Sequence, residues 1–162
     1  MRNFWDEKEN YEYVEKDYTP YHINQVLALK LVNRDAIAQA DLKIVVDAVN
    51  SVGGVVIPAL LRALGVKEII ELNCEPTGHF AHNPEPIPEN LTQIAAKMKE
   101  SRADLGIVVD PDVDRLALIS ENGEMFGEEY TLVAVADYVL KHTPGNTVSN
   151  LSSSRALKDV TE

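Results

Sequence analysis

Three aspartates, Asp110, Asp112 and Asp114, alternate along LGIVVDPDVDRLALISENG (residues 105–123), and Arg115 follows at once. Apolar runs press in on both sides. Carboxylates this close repel one another and are costly to desolvate, so something must compensate them. Four readings compete. In an EF-hand, Asp110, Asp112 and Asp114 would take positions 1, 3 and 5, and Glu121 would take position 12. Position 6 of that loop needs glycine but holds Arg115 here, and the flanks read as strands rather than helices. A non-catalytic Ca²⁺-binding module is therefore an alternative with two features against it. A plain turn accounts for one or two aspartates, but poorly for three at alternate positions with Pro111 stiffening the loop. In a stand-alone Mg²⁺-dependent phosphatase, Asp110 would be the nucleophile attacking phosphorus; that needs a downstream lysine and further acids in set places, which this chain does not clearly show. A Mg²⁺ site for phosphoryl transfer accounts for most. Mg²⁺ takes hard oxygen ligands in an octahedron and keeps positions for water and phosphate oxygens. Alternate residues in a tight loop can aim three carboxylates at one centre, and the cation offsets their repulsion. Arg115 beside it can grip a phosphate through two N–H bonds. Metal plus arginine is how a transferring phosphoryl group is commonly stabilised.

Such a loop needs elements to hold it. LGIVVD reads as a buried strand and RLALIS (115–120) as another directly after the aspartates. Upstream, HINQVLALKLVNRDAIAQA (22–40) spaces Ile23, Val26, Leu27 and Leu31 like a helix, and LKIVV (42–46) is a short β-branched strand. Gly53-Gly54 open a helix that Gly65 closes, with Pro58 in its early turns. EIIEL (68–72) is the next strand. The segment 73–90 carries four prolines and reads as a long irregular loop, a length that is often functional. ENLTQIAAKMKESR is a helix, Asn122-Gly123 a turn, and TLVAVADYVLKH (131–142) a helix with Glu128 and Glu129 at its positive end. The final TVSNLSSSRALKDVTE starts a strand-then-helix unit. This rhythm predicts an α/β fold with a mixed, largely parallel sheet flanked by helices, and sites in such sheets form beyond the carboxyl ends of the strands.

Bulk properties narrow the function. The 162 residues suffice for one domain with room for a piece of another. A net charge of −11 argues against a nucleic-acid binder or a protein of anionic membrane surfaces. An acidic chain can still handle an anionic substrate if a metal or a local cation meets it. The single Cys74 fits a reducing compartment, no run is long and apolar enough to span a bilayer, and the acidic, aromatic N-terminus lacks a signal core, so a cytoplasmic location is expected.

The aspartate loop resembles that of the α-D-phosphohexomutases, the phosphoglucomutase/phosphomannomutase superfamily, whose second domain carries Asp-Gly-Asp-Gly-Asp-Arg. Here it reads Asp110-Pro111-Asp112-Val113-Asp114-Arg115, with every acid and the arginine kept and both glycines replaced. VVDAVNSVGG, GHFAHNPEPIPENL, GEEYTLVAVADYVL and SNLSSSRAL are similar to further stretches of that family, so the likeness runs from about residue 20 to the end. The resemblance implies a domain II at 21–145, a linker or tail of a preceding domain at 1–20, and the start of domain III at 146–162. It implies Mg²⁺ held by Asp110, Asp112 and Asp114, Arg115 near an enzyme phosphoserine, and a hexose phosphate substrate interconverted through a bisphosphate intermediate. The phosphoserine segment and the sugar-recognition loop are not in this chain. Gly123-Glu124-Met125-Phe126-Gly127 lies too close behind the metal loop to be the latter and reads as a turn. The chain alone is expected to bind Mg²⁺ weakly and to catalyse nothing.

Other residues carry blander expectations. His79 and His82 lack a third soft ligand and read as loop or substrate-side residues rather than a metal pair. Gly53-Gly54 reads as a tight strand–helix turn rather than a phosphate cradle. Ser152, Ser153 and Ser154 have no evident base nearby, and helix capping suits them best.

Overall fold

The computed structural model describes residues 15–151 and 153–161. The linker expected before residue 15 and the capping role considered for Ser152 lie outside them. The elements run α1 (Thr19–Leu27), α2 (Arg34–Gln39), β1 (Lys43–Asp47), α3 (Gly53–Leu64), β2 (Glu68–Leu72), α4 (Thr92–Ser101), β3 (Leu105–Val109), β4 (Leu116–Ser120), α5 (Glu128–His142) and α6 (Ala156–Thr161).

The four strands form one mixed, largely parallel sheet in the order β2-β1-β3-β4. β1 pairs parallel with β2 (Lys43 opposite Glu68) and with β3 (Ile44 opposite Leu105), whereas β4 returns antiparallel to β3 (Val109 opposite Leu116). Alternation along the β-branched runs sends successive side chains to opposite faces. Ile44 and Val46 join Leu61 and Val66 in one core layer, under α3. Val45, Val108, Ala117 and Ile119 join Ile94 and Met98 in the other, under α4. Helices thus cover both faces, as parallel strands require. Burying one such side chain contributes roughly 1.5–3 kcal/mol, so the two layers supply the main drive for the fold.

This topology creates the place where a site can form. The chain leaves β1 toward β2 on one side and later returns to lay β3 on the other side of β1. The crevice between the carboxyl ends of β1 and β3 is a topological switch point. Asp47 ends β1, and Asp110 follows directly on β3.

Two expectations need correction. Residues 22–40 form two helices, not one: α1 stops at Leu27, and Asn33 then leaves helical geometry and caps α2, its Oδ1 accepting from Ala36 N–H at 3.0 Å. An Asn side chain offers the backbone a partner outside the helix ladder, which outweighs the apolar period there. Pro20 sits in the first turn of α1, where it lacks nothing a helix needs, so ordered helix already begins at Thr19. No strand forms at the start of TVSN; residues 144–150 are irregular, and Val148 is almost fully exposed. An extended segment needs a neighbour for its backbone groups, and none is adjacent among the described residues. Ser154 Oγ does accept from Ala156 N–H at 3.2 Å, capping α6 as expected.

Candidate metal centre

The loop between β3 and β4 turns back on Asp110. Its carbonyl accepts from Val113 N–H at 3.2 Å, and its Oδ1 accepts from both Asp114 N–H and Arg115 N–H at 3.1 Å. Only 7% of Asp110 is exposed, while Asp112 and Asp114 face solvent. Each of the three carboxylates brings an oxygen within 4.8 Å of the others. Among the described residues this is the only converging group of three possible ligands. Strands flank the loop on both sides, so the helix–loop–helix of an EF-hand is not formed here.

The β1–α3 turn supports the loop from beneath. Ser51 Oγ donates to the Pro111 carbonyl. Gly53 lies so close that a Cβ there would stand 2.5 Å from Val109 Cγ2, and a Cβ on Gly54 would overlap the Cys74 carbonyl. The paired glycines therefore serve close packing at a strand–helix turn. Val113 holds φ at +62°, in the left-handed region that penalises a β-branched residue. Val113 stands where the phosphohexomutase pattern has its second glycine.

The electrostatics fit a cation. Burial pushes the Asp110 carboxyl up, but the Arg115 amide, hydrogen bonds with Asp114 and Asp112, and the Asp114 amide outweigh it and hold the group below its ordinary range. Asp114 moves the other way: its hydrogen bond with Asp110 and the charges of Asp112 and Asp110 push it up, against the pull of Arg115. Two amides occupy one oxygen of Asp110 and leave the other for a ligand. All the converging donors are hard oxygens, which suits Mg²⁺ or another hard divalent ion. The guanidinium of Arg115 projects beside them, its Nη1 3.5 Å from Glu85 Oε1. A cavity of about 310 Å³ opens there, lined by Asn83, Pro84, Glu85, Asp110, Pro111 and Arg115.

A second carboxylate at the switch point escaped the sequence reading. Asp47 is 1% exposed. Its Oδ1 accepts from Val49 N–H at 3.1 Å and Asn73 Nδ2 at 3.2 Å, and its Oδ2 lies 3.1 Å from His82 Nε2. This gives His82 a structural partner and ties the Pro-rich loop to β1. His79 contributes its backbone carbonyl, which accepts from Asn50 Nδ2 at 3.1 Å. A signal for Asp47 was present: Ile-Val-Val-Asp occurs twice, at 44–47 and 107–110, each time closing a strand at this crevice.

A family model described as phosphoglucomutase/phosphomannomutase, alpha/beta/alpha domain II, matches residues 20–123. The chain belongs to the phosphoglucomutase/phosphomannomutase family. The phosphoglucomutase/phosphomannomutase of Thermococcus kodakarensis is 39% identical over 131 residues, 80% of this chain and 28% of that protein. The phosphomannomutase/phosphoglucomutase of Pseudomonas aeruginosa is 39% identical over 132 residues, again 80% of this chain and 27% of the relative. The chain therefore spans under a third of these relatives. Among solved structures, a phosphoglucomutase/phosphomannomutase family protein from Burkholderia thailandensis aligns with a TM-score of 0.69 at 29% identity, covering 92% of this chain and 32% of that one. A structure from Thermus thermophilus reaches a TM-score of 0.80 at 22% identity, covering 91% of this chain and 34% of the other, and shows the shared fold. Within this phosphoglucomutase/phosphomannomutase domain, the matched segment contains β1 to β4 and the whole metal loop; α5 and α6 lie beyond it.

Proposed function

We propose that this chain is the metal-binding domain of a phosphohexomutase that interconverts hexose 1-phosphate and hexose 6-phosphate through an enzyme phosphoserine and a bisphosphate. The observation that carries the reading is the convergence of Asp110, Asp112 and Asp114 within 4.8 Å, at a switch point and with Arg115 alongside. Residues 21–145 are taken as the second domain, 1–20 as the tail of a first, and 146–162 as the opening of a third. The phosphoryl-carrying serine and the sugar-reading loops belong to those other parts, so this chain alone turns nothing over. The parent's hexose phosphate and a cytoplasmic location complete the reading; Cys74, the only cysteine, stays a thiol there.

The three aspartates would hold Mg²⁺, which when bound offsets the charge of phosphoryl oxygens during transfer. The rest falls to the chain's own groups. The two amides on Asp110 fix the direction of its free oxygen, so the ligand set is preorganised rather than assembled on binding. The Arg115 amide is one of those two, which ties the root of its side chain to the ligand cluster. Its guanidinium then meets phosphate oxygens edge-on and orients the group for transfer.

Calorimetric titration of the chain with Mg²⁺, alongside Asp112→Asn and Asp114→Asn, tests this reading. Saturable one-site binding that either substitution weakens at least tenfold supports it. Equal binding by all three chains counts against the triad. Hydrolysis of an aryl phosphate above a metal blank, stopped by Asp110→Asn, would favour the phosphatase instead.

A further inference from the structure

Arg115 already has a partner. Glu85 lies thirty residues earlier, in the Pro-rich loop, yet its Oε1 sits 3.5 Å from Arg115 Nη1. The loop fixes it there. Glu85 N–H donates to Asn83 Oδ1 at 3.3 Å, and the Glu85 carbonyl accepts from Ile87 N–H at 2.9 Å and from Asn90 Nδ2 at 2.8 Å. Pro84 and Pro86 flank it, Pro86 being buried, and His82 anchors the same stretch to Asp47. The backbone under Glu85 is pinned from both sides, while the two side chains, 52% and 55% exposed, meet at the surface where a ligand can reach them. The two residues face each other across the mouth of the cavity that opens onto Asp110.

A carboxylate and a phosphate present the same two-oxygen edge to a guanidinium. They differ in charge: a phosphate monoester is close to a dianion at neutral pH, a carboxylate a monoanion. We propose that Glu85 is a built-in competitor that occupies Arg115 until a dianionic phosphate displaces it, and so sets the affinity threshold of the cavity for anions. Displacing Glu85 lowers the apparent affinity of every anion by the same factor, so a weakly held monoanion is kept out at concentrations where a dianionic phosphate still binds. This rests on the reading that Arg115 takes a phosphate.

The test is a titration of the ¹⁵N-labelled chain with inorganic phosphate, and separately with acetate, in Mg²⁺ at constant ionic strength. The Arg115 Nε–H resonance reports binding. Wild type is compared with Glu85→Gln, Arg115→Ala and Glu89→Gln, the last removing an equal charge from an exposed position in the same segment. Phosphate affinity rises in Glu85→Gln by roughly two- to fivefold, the factor an exposed ion pair is worth. Glu89→Gln leaves it unchanged, and acetate gains by a similar factor in Glu85→Gln, since both anions displace the same carboxylate. No gain in Glu85→Gln, or an equal gain in Glu89→Gln, overturns the competitor. With Arg115→Ala, phosphate shifts are read at the Asp110 and Asp114 amides. Undiminished binding there overturns the phosphate role of Arg115 itself; lost binding there without a gain in Glu85→Gln overturns the competitor alone. No phosphate binding by wild type or Glu85→Gln overturns both.

Discussion

The carboxylate of Asp47, sealed from solvent at the end of β1, lies 3.1 Å from Nε2 of His82 in the Pro-rich loop. The bond joins residues 35 positions apart and fixes the loop that carries Glu85 to the crevice. His82→Ala would strand a buried carboxylate with only Asn73 and an amide for company. Losing one hydrogen bond to a buried charged group costs about 1.5–3 kcal/mol. Asp47→Asn with His82→Ala should recover part of that loss. Urea unfolding of the two single variants and the double variant measures both effects.

Val113 predicts a gain instead. Its φ of +62° costs an L-residue roughly 1–2 kcal/mol. Glycine relieves that cost but adds about 0.4–1 kcal/mol of unfolded-state entropy and gives up the packing above Gly53. Val113→Gly should therefore raise stability slightly, by up to about 1 kcal/mol, with Mg²⁺ affinity unchanged. Gly54→Ala should do the opposite, because a Cβ there meets the Cys74 carbonyl and backbone must move; overpacking of this kind costs about 1–3 kcal/mol. Thermal melts of both variants check the signs.

Cys74 carries a pH signature. Burial, then the charges of Glu71 and Asp47, push its thiol up to about 11, from an ordinary value of 9.0. The folded state therefore keeps this proton where the unfolded chain loses it. Its contribution to stability is complete below pH 9 and falls away as pH rises toward 11. Cys74→Ala should flatten the decline over that window in urea midpoints. Alkylation of the native thiol at pH 8 should be far slower than that of the unfolded chain.

The metal loop could be read from the sequence because its chemistry is local: three acids and an arginine within six positions, after a β-branched run. β2 could be read for a similar reason, since Glu68–Leu72 is bounded by turn residues and needs no tertiary knowledge. For Asp47 the repeated Ile-Val-Val-Asp marks only its place at a strand end; its partner could not be read, because His82 arrives from 35 positions away. The break between α1 and α2 was hidden by an apolar spacing that continues past Leu27, while the deciding contact, Asn33 to the Ala36 amide, is a capping event. TVSN has strand-like residues, but a strand is made by its neighbour.

Asp114 predicts how the loop responds to charge. Its carboxyl is pushed up by Asp110 and Asp112, so the metal-free fold is stabilised by the proton and loses that stabilisation as pH rises. Asp114→Asn should raise the metal-free Tm at neutral pH and abolish any further rise with Mg²⁺. Protons compete with Mg²⁺ for these carboxylates, so its affinity should fall as pH drops into the acid range. Melts across pH, with and without Mg²⁺, separate the two effects.

The most direct test of the central claim is a Mg²⁺ titration of the ¹⁵N-labelled chain, read at the amides of Asp110 to Arg115. The account predicts saturable shifts centred on Asp114 and Arg115, whose N–H groups bind Asp110, and their loss in Asp112→Asn. Shifts that fail to saturate, or that persist unchanged in Asp112→Asn, would contradict a Mg²⁺ site built from these three aspartates.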